Sequence, residues 1–304
     1  MKIGLPNELL HLEGVQDFKG RIDQLVRNIQ WIHTPSGKNP QPLFLDGDMC
    51  YPFKKMVRTS LALLPDVDTL LLPRIVNLDN WLMCPNFRAL PDIVAINKER
   101  LEQNIGAGMV TPLMESCHND QLDILANSTA RELQTGAGHH LSIAASSEKA
   151  GSLAPKDSDL SRSIALIGHP YLVSDSALNN GVPDILKACG YNIALSQEIP
   201  FKKLDELAGS RDYYAKKMYW RSGRESLGAF LYFTEVNRPA GIIQLIAFNC
   251  GVDALLRIEL MSLKNRMEKA IPFMALVCDE HTQRDHVITR IEAFIDIIHG
   301  IKIS

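Results

Sequence analysis

Three cysteines of this chain lie where an apolar, strand-like run ends and a proline or glycine turns the chain. They are Cys50 after residues 43–45, Cys84 after residues 81–83 and Cys250 after residues 242–248. Backbone N–H groups just beyond a strand end favour the deprotonated thiol, which is the form that binds soft metals. Three such thiolates predict an iron-sulfur cubane in which one iron is left open.

Any one of these cysteines, taken alone, is more often a small buried hydrophobe than a ligand. The equivalent position of all three favours the ligand interpretation, and the Cys84-Pro85 step is also the way a ferredoxin ligand run ends. Core packing is expected for Cys117, Cys189 and Cys278, and Cys117 is the best placed of the three to serve as a spare ligand. Zinc stays open as an alternative metal, although structural zinc sites usually use closely paired cysteines. A two-domain protein with merely buried cysteines is the remaining alternative.

Acid-base side chains also follow strand-like runs. His169, within Gly168-His169-Pro170, is a candidate proton donor, proton acceptor or partner of a metal ligand, and its alternative role is to cap a turn. Glu280 and His281 bring a carboxylate and an imidazole to the end of the last strand, where proton handling and a helix-capping network are equally supported. Asp253 is expected to cap the helix that begins after Cys250.

Composition limits the classes of function. At 304 residues with 46% hydrophobic content, the chain is long enough for two α/β domains. A net charge of −3 and a pI near 6.3 argue against general nucleic-acid binding, so small or acidic ligands are the expected partners. We see neither a signal peptide nor an apolar run long enough to cross a bilayer, which predicts a cytoplasmic protein with reduced cysteines. Phosphate-loop, Gly-x-Gly-x-x-Gly and Gly-x-Ser-x-Gly motifs are absent.

Apolar strands alternate with helical stretches in both halves of the chain. The first half has predicted strands at 2–5, 42–45, 69–72 and 109–112, with helices near 16–31, 52–64 and 119–134. The second half has predicted strands at 164–167, 192–195, 241–248 and 273–277, with helices near 183–188, 225–236 and 288–298. This alternation predicts an α/β fold with doubly wound, mainly parallel sheets.

A segment rich in Gly, Ala and Ser, residues 136–162, separates the two halves. We therefore expect an N-terminal domain over 1–150 that carries Cys50 and Cys84, and a C-terminal domain over 151–304 that carries Cys250. Ligands of open α/β sheets bind beyond the carboxyl ends of the strands. A site in the cleft between the two domains is the expected geometry.

The order of several short motifs resembles a known family. The motifs are Lys2-Ile3-Gly4-Leu5-Pro6, Cys50-Tyr51-Pro52-Phe53-Lys54, Leu72-Pro73-Arg74, Cys84-Pro85, Leu90-Pro91-Asp92, Gly168-His169-Pro170-Tyr171, Phe248-Asn249-Cys250-Gly251-Val252-Asp253 and Asp279-Glu280-His281-Thr282. In this order they look like the CoA enzyme activase-related domain of uncharacterised function. That domain is related to 2-hydroxyacyl-CoA dehydratase components and to double-cubane cluster proteins.

The resemblance implies two Rossmann-like domains that hold a 4Fe-4S cluster, single or double cubane, with Cys50, Cys84 and Cys250 as ligands. It implies an oxygen-sensitive, anaerobic protein that receives low-potential electrons from an ATP-dependent activator. The activity implied is that of a dehydratase-like lyase or a low-potential reductase on a small molecule such as an acyl-CoA. The alternative is a non-catalytic electron-transfer or cluster-carrying subunit. Either form would work as a homodimer or heterodimer.

The chain departs from the relatives in two respects. Dehydratase components are longer, and no CoA-binding segment is recognisable here. Double-cubane proteins also need more thiolates than Cys50, Cys84 and Cys250 supply, so a double cluster would have to draw on the remaining cysteines.

Overall fold

The computed structural model describes residues 1–36, 45, 47–78, 80–100, 106–115, 119–135, 162–209, 218–267 and 271–300. The chain divides into two compact units, Met1–Lys149 and Ala150–Ser304, which we call unit 1 and unit 2. Most of the predicted strand at 42–45 lies outside the described residues, and so does Cys117.

Unit 1 is built around a four-stranded parallel sheet with strand order β2-β1-β3-β7. Its strands are β1 Lys2–Gly4, β2 Gln30–Ile32, β3 Thr69–Leu71, β4 Arg74–Ile75, β5 Asn77–Leu78, β6 Trp81–Leu82, β7 Gly108–Val110 and β8 Leu113–Met114. Its described helices are α1 Asn7–Leu10, α2 Glu13–Leu25, α3 Tyr51–Leu63, α4 Pro85–Arg100 and α5 Asn119–Thr135. The short strands form two further pairs, β4 with β8 and β5 with β6.

Unit 2 contains a second four-stranded parallel sheet, with strand order β10-β9-β11-β12. Its strands are β9 Ser163–Ile167, β10 Asn192–Leu195, β11 Gly241–Ala247 and β12 Phe273–Cys278. Its described helices are α6 Pro170–Ser174, α7 Ser176–Asn179, α8 Val182–Ala188, α9 Phe201–Gly209, α10 Arg221–Glu235, α11 Gly251–Arg266 and α12 Arg284–Ile298.

The two sheets have the same topology. In each, the first strand lies beside the second and the third, and the fourth lies beside the third. The chain therefore changes direction across the sheet between the first and third strands, which is the switch point where open α/β sheets bind ligands. Parallel strands flanked by helices in both units confirm the predicted doubly wound, mainly parallel α/β fold.

The predicted helix over 16–31 is wrong at its carboxyl end. Helix α2 ends at Leu25, Asn28 has a left-handed φ of 60°, and strand β2 begins at Gln30. The apolar residues after Leu25 suit either structure, so their spacing did not reveal the break. Val26, the residue after the helix, is already extended with φ −117° and ψ 121°, and the left-handed Asn28 then turns the chain into β2.

The core of unit 2 contains a fully buried strand and a closely packed pair of helices. All seven residues of β11 are buried, as expected for a central parallel strand. Helices α9 and α10 approach closely at Gly228, where a Cβ atom would clash with the carbonyl oxygen of Leu204.

Among the described residues, no helix is both long enough and apolar enough to span a bilayer.

Candidate functional site

All three predicted cysteine ligands lie at the amino-terminal ends of helices. Cys50 directly precedes α3, Cys84 precedes α4 and Cys250 precedes α11. Each cysteine carbonyl accepts a backbone hydrogen bond from the first turn: Lys54 to Cys50 at 3.1 Å, Phe87 to Cys84 at 3.0 Å and Ala254 to Cys250 at 3.0 Å. The positive end of a helix dipole favours a thiolate, so the setting suits soft-metal ligands.

In unit 1, the amino-terminal ends of α3 and α4 meet. The side-chain amide of Asn86 donates to Sγ of Cys50 at 3.6 Å, and Asn86 lies two residues after Cys84. Both thiols are partly buried. The fold thus brings Cys50 and Cys84 into one region of unit 1.

In unit 2, the buried His169 and Asp253 and the partly buried Cys250 lie together at the switch point of the sheet. His169 follows β9, and Cys250 and Asp253 follow β11, the neighbouring strand. Nε2 of His169 lies 3.4 Å from Sγ of Cys250 and 3.3 Å from Oδ1 of Asp253. His169 is 5% exposed and Asp253 is 1% exposed. One donor atom from each of the three residues could therefore contact the same metal ion.

Neighbouring residues hold the side chains of His169 and Asp253 in position. The N–H of Ala247, the last residue of β11, donates to Oδ2 of Asp253 at 2.9 Å. The ring of Tyr171 stacks on the His169 imidazole with 5.1 Å between centroids. Gly168 has a φ of 156°, and a Cβ there would lie 2.8 Å from the carbonyl oxygen of Leu245. The close approach to β11 thus requires a glycine before His169.

The charges in the cluster set the protonation of His169. Burial lowers its pKa, but the Asp253 carboxylate and the Cys250 thiolate outweigh burial, so the pKa of His169 lies well above its ordinary value. The pKa of the neighbouring Cys278 is also raised, but here burial is the main cause: burial, reinforced by the negative charge of Asp253, raises the pKa of its thiol to about 12. Cys278 therefore remains a protonated core thiol at neutral pH.

The other predicted residues are placed differently. Glu280 and His281 follow β12 at the carboxyl edge of the unit 2 sheet, and the His281 side chain is 85% exposed with its Nε2 3.9 Å from Oε1 of Glu280. The core role predicted for Cys189 is wrong, because Cys189 ends α8 and is exposed. Cys278 is buried at the end of β12, as predicted.

Asp253 is the member of the candidate site that the sequence interpretation missed. Its Oδ2 accepts a hydrogen bond from the N–H of Ala247 in β11, and its Oδ1 faces His169. The carboxylate thus links a strand to the imidazole, which a helix-capping role does not include. Its position three residues after Cys250 is the signal that could have revealed it, because residues three apart share a helix face.

Comparison with known proteins supports the family expected from the motifs. A family model described as the CoA enzyme activase uncharacterised domain matches residues 41–199, a range that includes Cys50, Cys84 and His169. A search of curated proteins found no match. Because the family model covers more than half of the chain, this protein belongs to the CoA enzyme activase uncharacterised domain family.

Proposed function

We propose that the protein is an iron-sulfur protein of the 4Fe-4S type in which Cys50, Cys84 and Cys250 are the cluster ligands. It receives low-potential electrons from an ATP-dependent activator and uses them in a reductive or dehydration reaction on a small substrate such as an acyl-CoA. When bound, the cluster supplies one-electron transfer and a Lewis-acidic iron.

The observation that supports this proposal is the shared setting of the three thiols. Each lies at the positive end of a helix. Thiolates in such settings are the ligands of iron-sulfur clusters, whose potentials depend on charge and hydrogen bonds near sulfur. Two side chains supply such hydrogen bonds near sulfur. The amide of Asn86 contacts Sγ of Cys50, and the imidazole of His169 contacts Sγ of Cys250.

His169 is the strongest candidate for proton handling, because it is held against Cys250 by a buried carboxylate. Glu280 and His281 are proposed for the same role from their position after β12, next to β11 in the sheet. An exposed His281 is suited to exchange protons with solvent, whereas His169 is suited to hold one.

The test is the content of iron and acid-labile sulfide, with an EPR spectrum, in protein purified without oxygen. We expect about four irons per chain in the wild type, as in a cubane cluster. The Cys84→Ala variant should lose the iron, whereas Cys189→Ala, which removes an exposed thiol, should retain it. Wild-type protein with free thiols and no iron would contradict the proposal.

A second measurement separates catalysis from electron transfer alone. If the cluster is present, rapid reduction by an activator without turnover of any acyl-CoA tested would favour the non-catalytic subunit. Turnover that depends on both the activator and Cys84 would favour the enzyme.

A further inference from the structure

The side chains of His169, Cys250 and Asp253 bring one donor atom each to the same place within unit 2. Those donor atoms all lie within 4.8 Å of one another. We propose that these residues form a mononuclear site for a borderline-soft divalent cation such as Zn²⁺ or Fe²⁺, built within unit 2 alone. The site takes a metal ion without needing a thiol from unit 1.

The imidazole orientation distinguishes this site from a nucleophile-base-acid triad. In a triad, one ring nitrogen of the histidine faces the nucleophile and the other faces the carboxylate. Here the same atom, Nε2 of His169, faces both Sγ of Cys250 and Oδ1 of Asp253. A single N–H serves only one of these two acceptors well, whereas a metal ion among the three atoms would satisfy all of them.

The separations also match ligands around a metal better than a strong hydrogen bond. A charge-assisted hydrogen bond between nitrogen and oxygen is about 2.7–2.9 Å long, whereas Nε2 of His169 lies 3.3 Å from Oδ1 of Asp253. Tetrahedral zinc with bonds of about 2.0–2.3 Å places nitrogen and oxygen ligands about 3.4 Å apart and nitrogen and sulfur ligands about 3.6 Å apart. The observed 3.3 Å and 3.4 Å are close to these values.

Charge and donor type favour a divalent cation. The thiolate of Cys250 and the carboxylate of Asp253 together neutralise two positive charges, and His169 adds a neutral imidazole when it binds metal. Sulfur with imidazole selects zinc or iron over magnesium or calcium. Three protein ligands leave a fourth position for water or substrate, which is the pattern of catalytic zinc sites.

Neighbouring groups hold the ligands in place, as around known metal centres. The amide of Ala247 binds Oδ2 of Asp253 at 2.9 Å, which leaves Oδ1 directed at His169. The stacked ring of Tyr171 restrains the imidazole plane, with 9° between the two rings. Such restraint lowers the conformational entropy lost when the metal binds.

This site shares Cys250 with the proposed iron-sulfur cluster but needs neither Cys50 nor Cys84. Cys250 therefore serves one of the two at a time, and a chain that cannot assemble the iron-sulfur cluster retains all three ligands of the mononuclear site. The Cys84→Ala variant therefore separates the two, because it removes a cluster ligand and leaves unit 2 intact.

The test is a titration of metal-free, full-length protein with Co²⁺ without oxygen, followed by thiolate-to-cobalt charge-transfer absorption. We expect one equivalent to bind in wild type, in Cys84→Ala and in the Cys189→Ser control. Cys250→Ser should abolish the band, and His169→Gln and Asp253→Asn should each weaken binding on the order of 10-fold or more. Circular dichroism of each metal-free variant checks that it is folded, and Asp253→Asn keeps an oxygen that can accept from Ala247.

Three results would overturn the mononuclear site: no Co²⁺ binding by folded Cys84→Ala protein, a charge-transfer band that survives in Cys250→Ser, or unchanged affinity in both folded His169→Gln and Asp253→Asn. Iron in wild-type protein together with the first result would leave the cluster supported and the mononuclear site refuted. Cobalt binding in Cys84→Ala with no iron in the wild type would support the mononuclear site and contradict the iron-sulfur cluster.

Discussion

Cys84 in unit 1 and Cys250 in unit 2 occupy matching places in two sheets of the same topology. Each directly precedes the helix that connects the third strand to the fourth, α4 in unit 1 and α11 in unit 2. Their surroundings differ at the third residue of that helix, which is Asp253 in unit 2 and the buried Phe87 in unit 1.

The two units also differ at the second residue after the first strand of each sheet. In unit 2 this region supplies His169, whereas in unit 1 it supplies Pro6 before helix α1. One fold therefore presents a thiol with an imidazole and a carboxylate in unit 2, and in unit 1 a thiol whose helix carries a buried phenylalanine at the position of that carboxylate. The difference shows that the topology fixes the place of the thiol, while single residues around it decide its chemistry.

The largest expected effect concerns Cys189 and Cys278, the two described thiols of unit 2 other than Cys250. At pH 8 the exposed Cys189 should react readily with iodoacetamide, and Cys278 should react on the order of 1000-fold more slowly, because burial raises its pKa to about 12 and blocks access. Mass spectrometry of the alkylated peptides measures both rates. Equal rates in folded protein would show that Cys278 is accessible, and a urea-unfolded sample is the control.

The next effect tests Phe87, which holds in unit 1 the helix position that Asp253 holds in unit 2. Phe87→Ala should lower the free energy of unfolding by about 3–5 kcal/mol, because it removes a buried aromatic ring from α4. Urea unfolding measures the change, with the exposed Leu82→Ala as the matched control. A loss near zero would mean that Phe87 does not pack as a core residue, and the contrast with Asp253 would weaken.

The corresponding change in unit 2 is Asp253→Ala, for which we expect a loss of about 3 kcal/mol, because it removes both the carboxylate beside the buried His169 and the oxygen that accepts from Ala247. Asp253→Asn should lose only about 1 kcal/mol, since an amide oxygen still accepts from Ala247. Urea unfolding measures both. Equal losses for Ala and Asn would contradict this expectation, because they would show that the negative charge accounts for the whole contribution and the hydrogen bond from Ala247 for none of it.

The smallest effect is expected for Asn86→Ala, which removes the amide that contacts Cys50 in unit 1. A single hydrogen bond to sulfur at a partly buried position contributes only about 0.5 kcal/mol. If the proposed cluster is present, its reduction potential should nevertheless shift, because hydrogen bonds to ligand sulfurs tune it. An unchanged potential in a cluster-loaded variant would separate Asn86 from the ligand environment.

The sequence predicted much of the site because strand ends are recognisable from local patterns. Cys84, Cys250 and His169 each follow a strand of the structure, and the alternation of strands and helices led to the correct fold class. Strand β2 was missed because its apolar residues also suit a continuing helix, and their spacing marks neither the extended Val26 that ends α2 nor the left-handed Asn28 that turns the chain. Cys189 was misplaced because helical spacing alone does not show which face is covered.

The sequence by itself determined the order of elements, the thiols at helix starts and the membership of the family. Only the tertiary structure decided that His169, Cys250 and Asp253 meet, because His169 is 81 residues from Cys250 along the chain and they approach only when β9 pairs with β11. It also turned Asp253 from an expected helix cap into a partner of His169. Contacts between distant segments depend on strand pairing and burial, which residue spacing does not encode.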